Sequence, residues 1–174
     1  LFRSAIDVLL PFFNAQAQGT FKPLQVLPLW TVAAPPSLNM KAQYLSQDAV
    51  NAFSDNGPVG TIVKAAAGRA DLTWLIDPDT VWTAQRIAGG GEILGDTIEV
   101  VSAEQSAAAA SWLESLKVST FESDVYSLPY ANADVNALIN NGLPALATTA
   151  INNSSAVSSA LERPQIARAA IAHR

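Results

Sequence analysis

Three apolar, β-prone segments recur along the chain, and each is followed by a stretch with helical character. They begin near residues 24, 72 and 125 and read LQVLPLWT, LTWLI and VYSL. The spacing of roughly 50 residues leaves room for a helical crossover between consecutive strands, which is typical of parallel strands. The pattern therefore predicts an α/β fold built from parallel strand–helix units.

Short-range signals predict where elements begin and end. Ser102 and Gln105 match a capping box, in which each side chain bonds the other's backbone at a helix start. The adjacent Asp77 and Pro78 predict a second helix start, and we expect a third at Asn132. A proline within the first strand-like segment, at position 28, would delete a ladder hydrogen bond. That strand should therefore lie at an edge, carry a bulge or be shorter than the segment suggests.

The length of the chain limits how these units can close. A closed eight-stranded β/α barrel needs about 250 residues, and this chain has 174. Two architectures remain: a small open α/β sheet, or part of a larger TIM-like barrel, which we favour. Residues 1–19, with a short β segment, are predicted to be the tail of an upstream β domain or a linker, and residues 20–174 a barrel-like domain. Because the chain starts without methionine, we expect it to be a piece of a longer protein.

Composition excludes several kinds of function. Fifteen acidic against ten basic residues leave a net charge of −5, so no basic surface for nucleic acid is expected. The chain has no cysteine, and its one histidine is His173, which excludes disulfides, thiolate metal sites and histidine-based triads within it. We predict neither a metal nor a cofactor. No apolar run is long enough to span a bilayer, so no membrane contact is expected within the chain.

Polar and aromatic residues follow the predicted strands, at the sheet edge where ligands bind in parallel α/β folds. Carboxylates for proton transfer and aromatic faces for stacking are the components of a sugar site. The candidate catalytic residues are Asp77, Asp79 and Asp134, and the candidate ligand-binding residues are Trp30, Tyr130 and Asn132. A purely structural alternative is that Asp77 and Asn132 are N-caps and that Asp79 and Asp134 complement helix dipoles.

Three stretches of the sequence resemble one protein family: FKPLQVLPLWTVAAPP, ADLTWLIDPDTV and SLPYANADVNALI. The order resembles a group of large actinobacterial cell-envelope proteins of unknown function, encoded near the lipid II flippase. The resemblance implies a secreted protein with a glycosidase- or deacetylase-like β/α-barrel region and a membrane anchor outside this chain. It therefore implies an extracytoplasmic location in the cell envelope. Asn132 stands where the family usually has aspartate, and an amide cannot replace a carboxylate as a general acid or base.

These observations lead to three functional hypotheses. The first is a non-catalytic, barrel-like module that binds a wall glycan or a protein partner of the envelope. The alternative is a carbohydrate-active, glycoside hydrolase-like enzyme with paired aspartates at the strand ends. The third is a structural spacer, because helix caps explain much of the candidate site. Since a truncated barrel leaves strand edges unpaired, we also expect a homodimer formed through those edges.

Overall fold

The computed structural model describes residues 26–39, 41–94 and 97–169, and it has an α/β fold. The strands are β1 (Leu29–Val32), β2 (Thr73–Ile76), β3 (Glu92–Ile93), β4 (Glu99–Val100), β5 (Asp124–Ser127) and β6 (Ala167–Arg168). The helices are α1 (Gln47–Asn51), α2 (Pro58–Ala65), α3 (Pro78–Ala88), α4 (Ala103–Thr120), α5 (Val135–Asn140), α6 (Pro144–Asn152) and α7 (Ser155–Ala160), with a 3₁₀ turn at Tyr130–Asn132. The predicted N-terminal β segment within residues 1–19 lies outside the described residues.

The main sheet is parallel, as the repeated strand–helix pattern predicts. Its strand order is β1-β2-β5-β6, so strands that follow one another in the chain direction are neighbours in space, while β3 and β4 form a separate antiparallel pair. Parallel neighbours joined by right-handed crossovers receive their connecting helices on the same face of the sheet.

The two faces of the sheet differ in burial. Trp74, Ile76 and Val125 share one face and belong to the main hydrophobic core, together with residues of the helices. The opposite face carries Leu29, which is 57% exposed, and the exposed Asp124. On that opposite face Thr73 and Leu75 of β2 are nonetheless buried, at 4% and 5% exposed, so the open part of the face lies on β1 and at the start of β5.

Pro28 shortens the first strand. β1 begins at the following residue, and it lies at an edge of the sheet. The carbonyls of Pro28 and Val32 accept bonds from the next strand, from Thr73 N at 3.0 Å and Asp77 N at 2.9 Å. Because strand residues alternate in the direction of their backbone groups, the N–H of Thr31 faces away from β2.

Two of the three predicted helix starts are confirmed, and the third is wrong. Ser102 and Gln105 form a capping box at α4, and Asp77 caps α3. No regular helix begins at Asn132, because φ is +56° at Ala131 and +47° at Asn132. Left-handed backbone cannot propagate a right-handed helix. The chain turns there, and α5 begins later, with Asp134 as its N-cap.

No helix within the described ranges is both long and apolar enough to cross a membrane.

Candidate functional site

Asp77 lies at the carboxyl end of the central strand β2 and is fully buried. Its carboxylate accepts hydrogen bonds from the backbone N–H groups of Asp79 at 3.3 Å and Thr80 at 3.0 Å, which are the free amides of the first turn of α3. It also accepts the Thr80 hydroxyl at 2.7 Å. The proline after Asp77 has no N–H to satisfy, so this short sequence specifies the capped helix start locally.

The Asp77 carboxylate also links the ends of three strands. Asn132, in the turn after β5, donates its backbone N–H to Asp77 at 3.2 Å. The Thr80 hydroxyl accepts a bond from the N–H of Ala34, just after β1, at 2.7 Å. Burial raises the pKa of the Asp77 carboxyl, although the bonds from Thr80, Asp79 and Asn132 oppose the rise. Asp77 is therefore a buried junction between the strand ends.

Asp79 is the candidate carboxylate that reaches a cleft. It is 7% exposed, and it contributes to the wall of a cleft of about 370 Å³ that also includes Tyr130 and the loop at positions 36–39. We call this space the Asp79 cleft. Burial raises the pKa of the Tyr130 hydroxyl, and the neighbouring Asp79 carboxylate raises it further, with a smaller contribution from Asp77. The structure thus brings an acid and a phenol together at the strand ends.

Trp82 is a residue of this site that the sequence reasoning missed. It is 36% exposed, lines the Asp79 cleft, and also lines an adjoining cleft of about 600 Å³ formed with Tyr130 and Gln85. We call the second space the Gln85 cleft. Trp82 lies one helical turn after Asp79, so the two share a face of α3. That spacing is the signal by which Trp82 could have been found.

Trp30, Asn132 and Asp134 take other positions. The Trp30 indole packs against the core and donates to the Ile62 carbonyl at 3.1 Å, away from both clefts. Asn132 is exposed and contributes its backbone N–H rather than its amide side chain. Asp134 accepts the N–H of Ala137 at 2.9 Å as the cap of α5. The structure therefore brings Asp77, Asp79 and Tyr130 together, and places Trp30 elsewhere.

A second polar cleft, of about 350 Å³, lies between α1 and α4. Its amide side chains satisfy one another, because the Gln105 amide donates to Gln47 and to Asn51, both at 2.8 Å. A ligand could hydrogen-bond to the Gln105 amide only by displacing these bonds. The strand-end clefts are the better candidate site for this reason.

Within residues 26–39, 41–94 and 97–169, no group of three or more acidic or histidine side chains gathers in a way that could hold a metal ion. No protein-family model matches the chain, and a comparison with curated proteins finds no match to its sequence.

Proposed function

We propose that this protein is a non-catalytic, carbohydrate-binding module that forms part of a β/α barrel in the cell envelope. One observation carries the binding proposal: Trp82 and Tyr130 line two adjoining clefts at the carboxyl ends of parallel strands, with Asp79 in the wall of one. Aromatic faces stack on sugar rings, and a carboxylate accepts bonds from sugar hydroxyls. Volumes of about 370 and 600 Å³ fall within the range of small-ligand sites.

The hydrogen bonding of the acids supports binding over hydrolysis. Glycosidases commonly need two carboxyl groups roughly 5–9.5 Å apart that both reach the sugar. Here the Asp77 oxygens are held by groups of α3 and by Asn132, and Asp134 holds an amide of α5. Asp79 is then the one acid of the three that lines a strand-end cleft.

The chain order of the strands supports the barrel proposal. In a β/α barrel each strand adds next to the preceding one. A doubly wound sheet would instead reverse direction at a switch point. The envelope location, and wall glycan as the ligand, are proposed from the resemblance described above.

The binding proposal is tested by calorimetric titration of peptidoglycan and arabinogalactan fragments into the whole chain. We expect saturable binding that Trp82→Ala weakens at least about fivefold, because a stacked aromatic contributes on the order of 1 kcal/mol or more. Phe121→Ala is the matched control, since Phe121 is an exposed aromatic, 76% accessible, that lines neither strand-end cleft. Absence of binding to every fragment, or equal loss in both variants, would overturn the proposal.

The carbohydrate-active enzyme is the second candidate, favoured by one observation. Asp77 has a raised pKa and is followed two residues later by Asp79, and two acids in different environments are the pattern of an acid–base pair. Release of reducing ends from the same glycan fragments, lost in both Asp77→Asn and Asp79→Asn, would establish hydrolysis. No release at high protein concentration would leave binding alone.

A further inference from the structure

The Asp79 carboxyl is a buried acidic group that makes no ion pair among the described residues, and its hydrogen-bonding neighbour is the Tyr130 hydroxyl. Asp79 is only 7% exposed, and its side chain borders a cleft rather than a basic side chain. The ion pairs of that part of the chain lie elsewhere, at Lys64–Asp55, Arg69–Asp71 and Lys117–Glu162. An ionised carboxylate removed from water is costly unless a positive charge or several donors compensate it.

The surrounding groups make the cleft favourable for a cation. Trp82 and Tyr130 border the same space as Asp79, and aromatic faces attract ammonium groups. Trp82 already stacks on one cation of this chain, the Arg86 guanidinium, which lies 4.9 Å from the ring centroid. Arg86 is therefore a positive charge that packs on the Trp82 ring. At the Tyr130 hydroxyl, however, the charges that shift the pKa are the acidic ones of Asp79 and Asp77.

We propose that the Asp79 cleft recognises a protonated amine on its ligand, with Asp79 as the charged hydrogen-bond acceptor and Trp82 and Tyr130 as the flanking aromatic faces. This inference rests on the proposed carbohydrate-binding function and narrows it. The ligand class becomes a saccharide with a free amino group, such as an unacetylated hexosamine, rather than a neutral sugar. An amino acid side chain carries the same ammonium chemistry, and the experiment distinguishes the two sources.

The experiment compares three probes by calorimetric titration into the whole chain at low salt and mildly acidic pH, where the sugar amines are protonated and an ordinary carboxyl group is ionised. The probes are a glucosamine tetrasaccharide, its fully N-acetylated counterpart and Nα-acetyl-lysine amide, whose side-chain amine is free. We expect the free-amine sugar to bind at least about tenfold more tightly than the acetylated sugar, since a charged hydrogen bond contributes about 1.5–3 kcal/mol. Asp79→Asn should remove most of that preference. Asp55→Asn is the control, because Asp55 is also acidic but is 88% exposed and lines a different cleft.

Each outcome separates this inference from the function on which it rests. Equal binding of the two sugars by the unmodified protein would overturn the ammonium proposal and leave sugar binding intact, without relying on any variant. If only the lysine amide bound, and Asp79→Asn abolished its binding, ammonium recognition would be supported and a saccharide as the ligand would be overturned. If none of the three probes bound, the ammonium proposal would be overturned. The titration with peptidoglycan and arabinogalactan fragments would then test sugar binding independently. If Asp55→Asn weakened the preference for the free-amine sugar as much as Asp79→Asn did, the preference would reflect net charge, and the proposed site would be rejected.

Discussion

Replacement of Asp77 by alanine should be among the most destabilising single changes at the strand ends. The side chain is fully buried and accepts four hydrogen bonds, from Asp79 N, Thr80 N, the Thr80 hydroxyl and Asn132 N. Alanine would remove the N-cap of α3, which typically costs about 1 kcal/mol. It would also leave the Thr80 hydroxyl and the Asn132 amide without this acceptor, at about 1–3 kcal/mol each when buried. Since Asn132 itself is exposed and water can reach part of the turn, we expect a total near 3 kcal/mol.

Urea unfolding followed by far-UV circular dichroism measures this loss. With a slope of about 2 kcal/mol per molar urea, a loss near 3 kcal/mol lowers the midpoint by about 1.5 M while the slope stays constant. Asp134→Ala is the matched control. Asp134 also caps a helix, but it is only partly buried and its side chain accepts one bond, from Ala137. We expect this control to lose about 0.5–1 kcal/mol.

The comparison isolates the bonds between strand ends from the capping effect. If Asp77→Ala lost no more stability than Asp134→Ala, the links to Thr80 and Asn132 would contribute nothing, and the description of Asp77 as a junction would be wrong. A change in the slope would indicate an altered unfolded or native state, and it would refute the assumption of a purely local loss.

Three further predictions follow from the same geometry. Because burial raises the pKa of Asp77 above 3.8, the folded state holds this proton more tightly than the unfolded chain. Stability should therefore fall as pH rises from about 3.8 through the folded-state pKa, and Asp77→Asn should flatten that part of the profile of stability against pH. Parallel profiles for the two proteins would contradict the pKa shift. Tyr44 and Tyr130 should ionise above the ordinary value of 10.0 in a spectrophotometric titration; Tyr130→Phe should remove one of these high-pH ionisations, and a variant that still shows both would refute the assignment. If the chain forms a homodimer through its β1 edge, sedimentation velocity should detect a dimer whose fraction rises with concentration. Thr31→Pro should abolish this dimer, because proline removes an N–H that faces away from β2. A protein that is monomeric at all concentrations would reject edge pairing.

Trp82 shows why a search confined to strand ends finds only part of the candidate site. Selection of residues at or just after each apolar segment yielded six candidates: Trp30, Asp77, Asp79, Tyr130, Asn132 and Asp134. Trp82 lies within α3 rather than at a strand end, and Trp30 lies inside β1 rather than after it. Whether an aromatic ring lines a cleft or packs on the core depends on neighbours from distant parts of the chain. For Trp30 that neighbour is Ile62, on α2.

Features that depend on residues close together in the chain could be predicted from the sequence alone. The cap at Asp77 and the box of Ser102 with Gln105 are specified by backbone amides within one helical turn, so their chemistry can be read along the chain. The strand–helix alternation follows from the local pattern of apolar residues. How these elements pack together depends on contacts between residues that are distant in the chain. The bond from Asn132 to Asp77 joins residues 55 positions apart, and the left-handed turn after β5 prevents the helix expected at Asn132. Such contacts depend on the strand order and on which helix face is buried, because many distant side chains must pack together before either is defined.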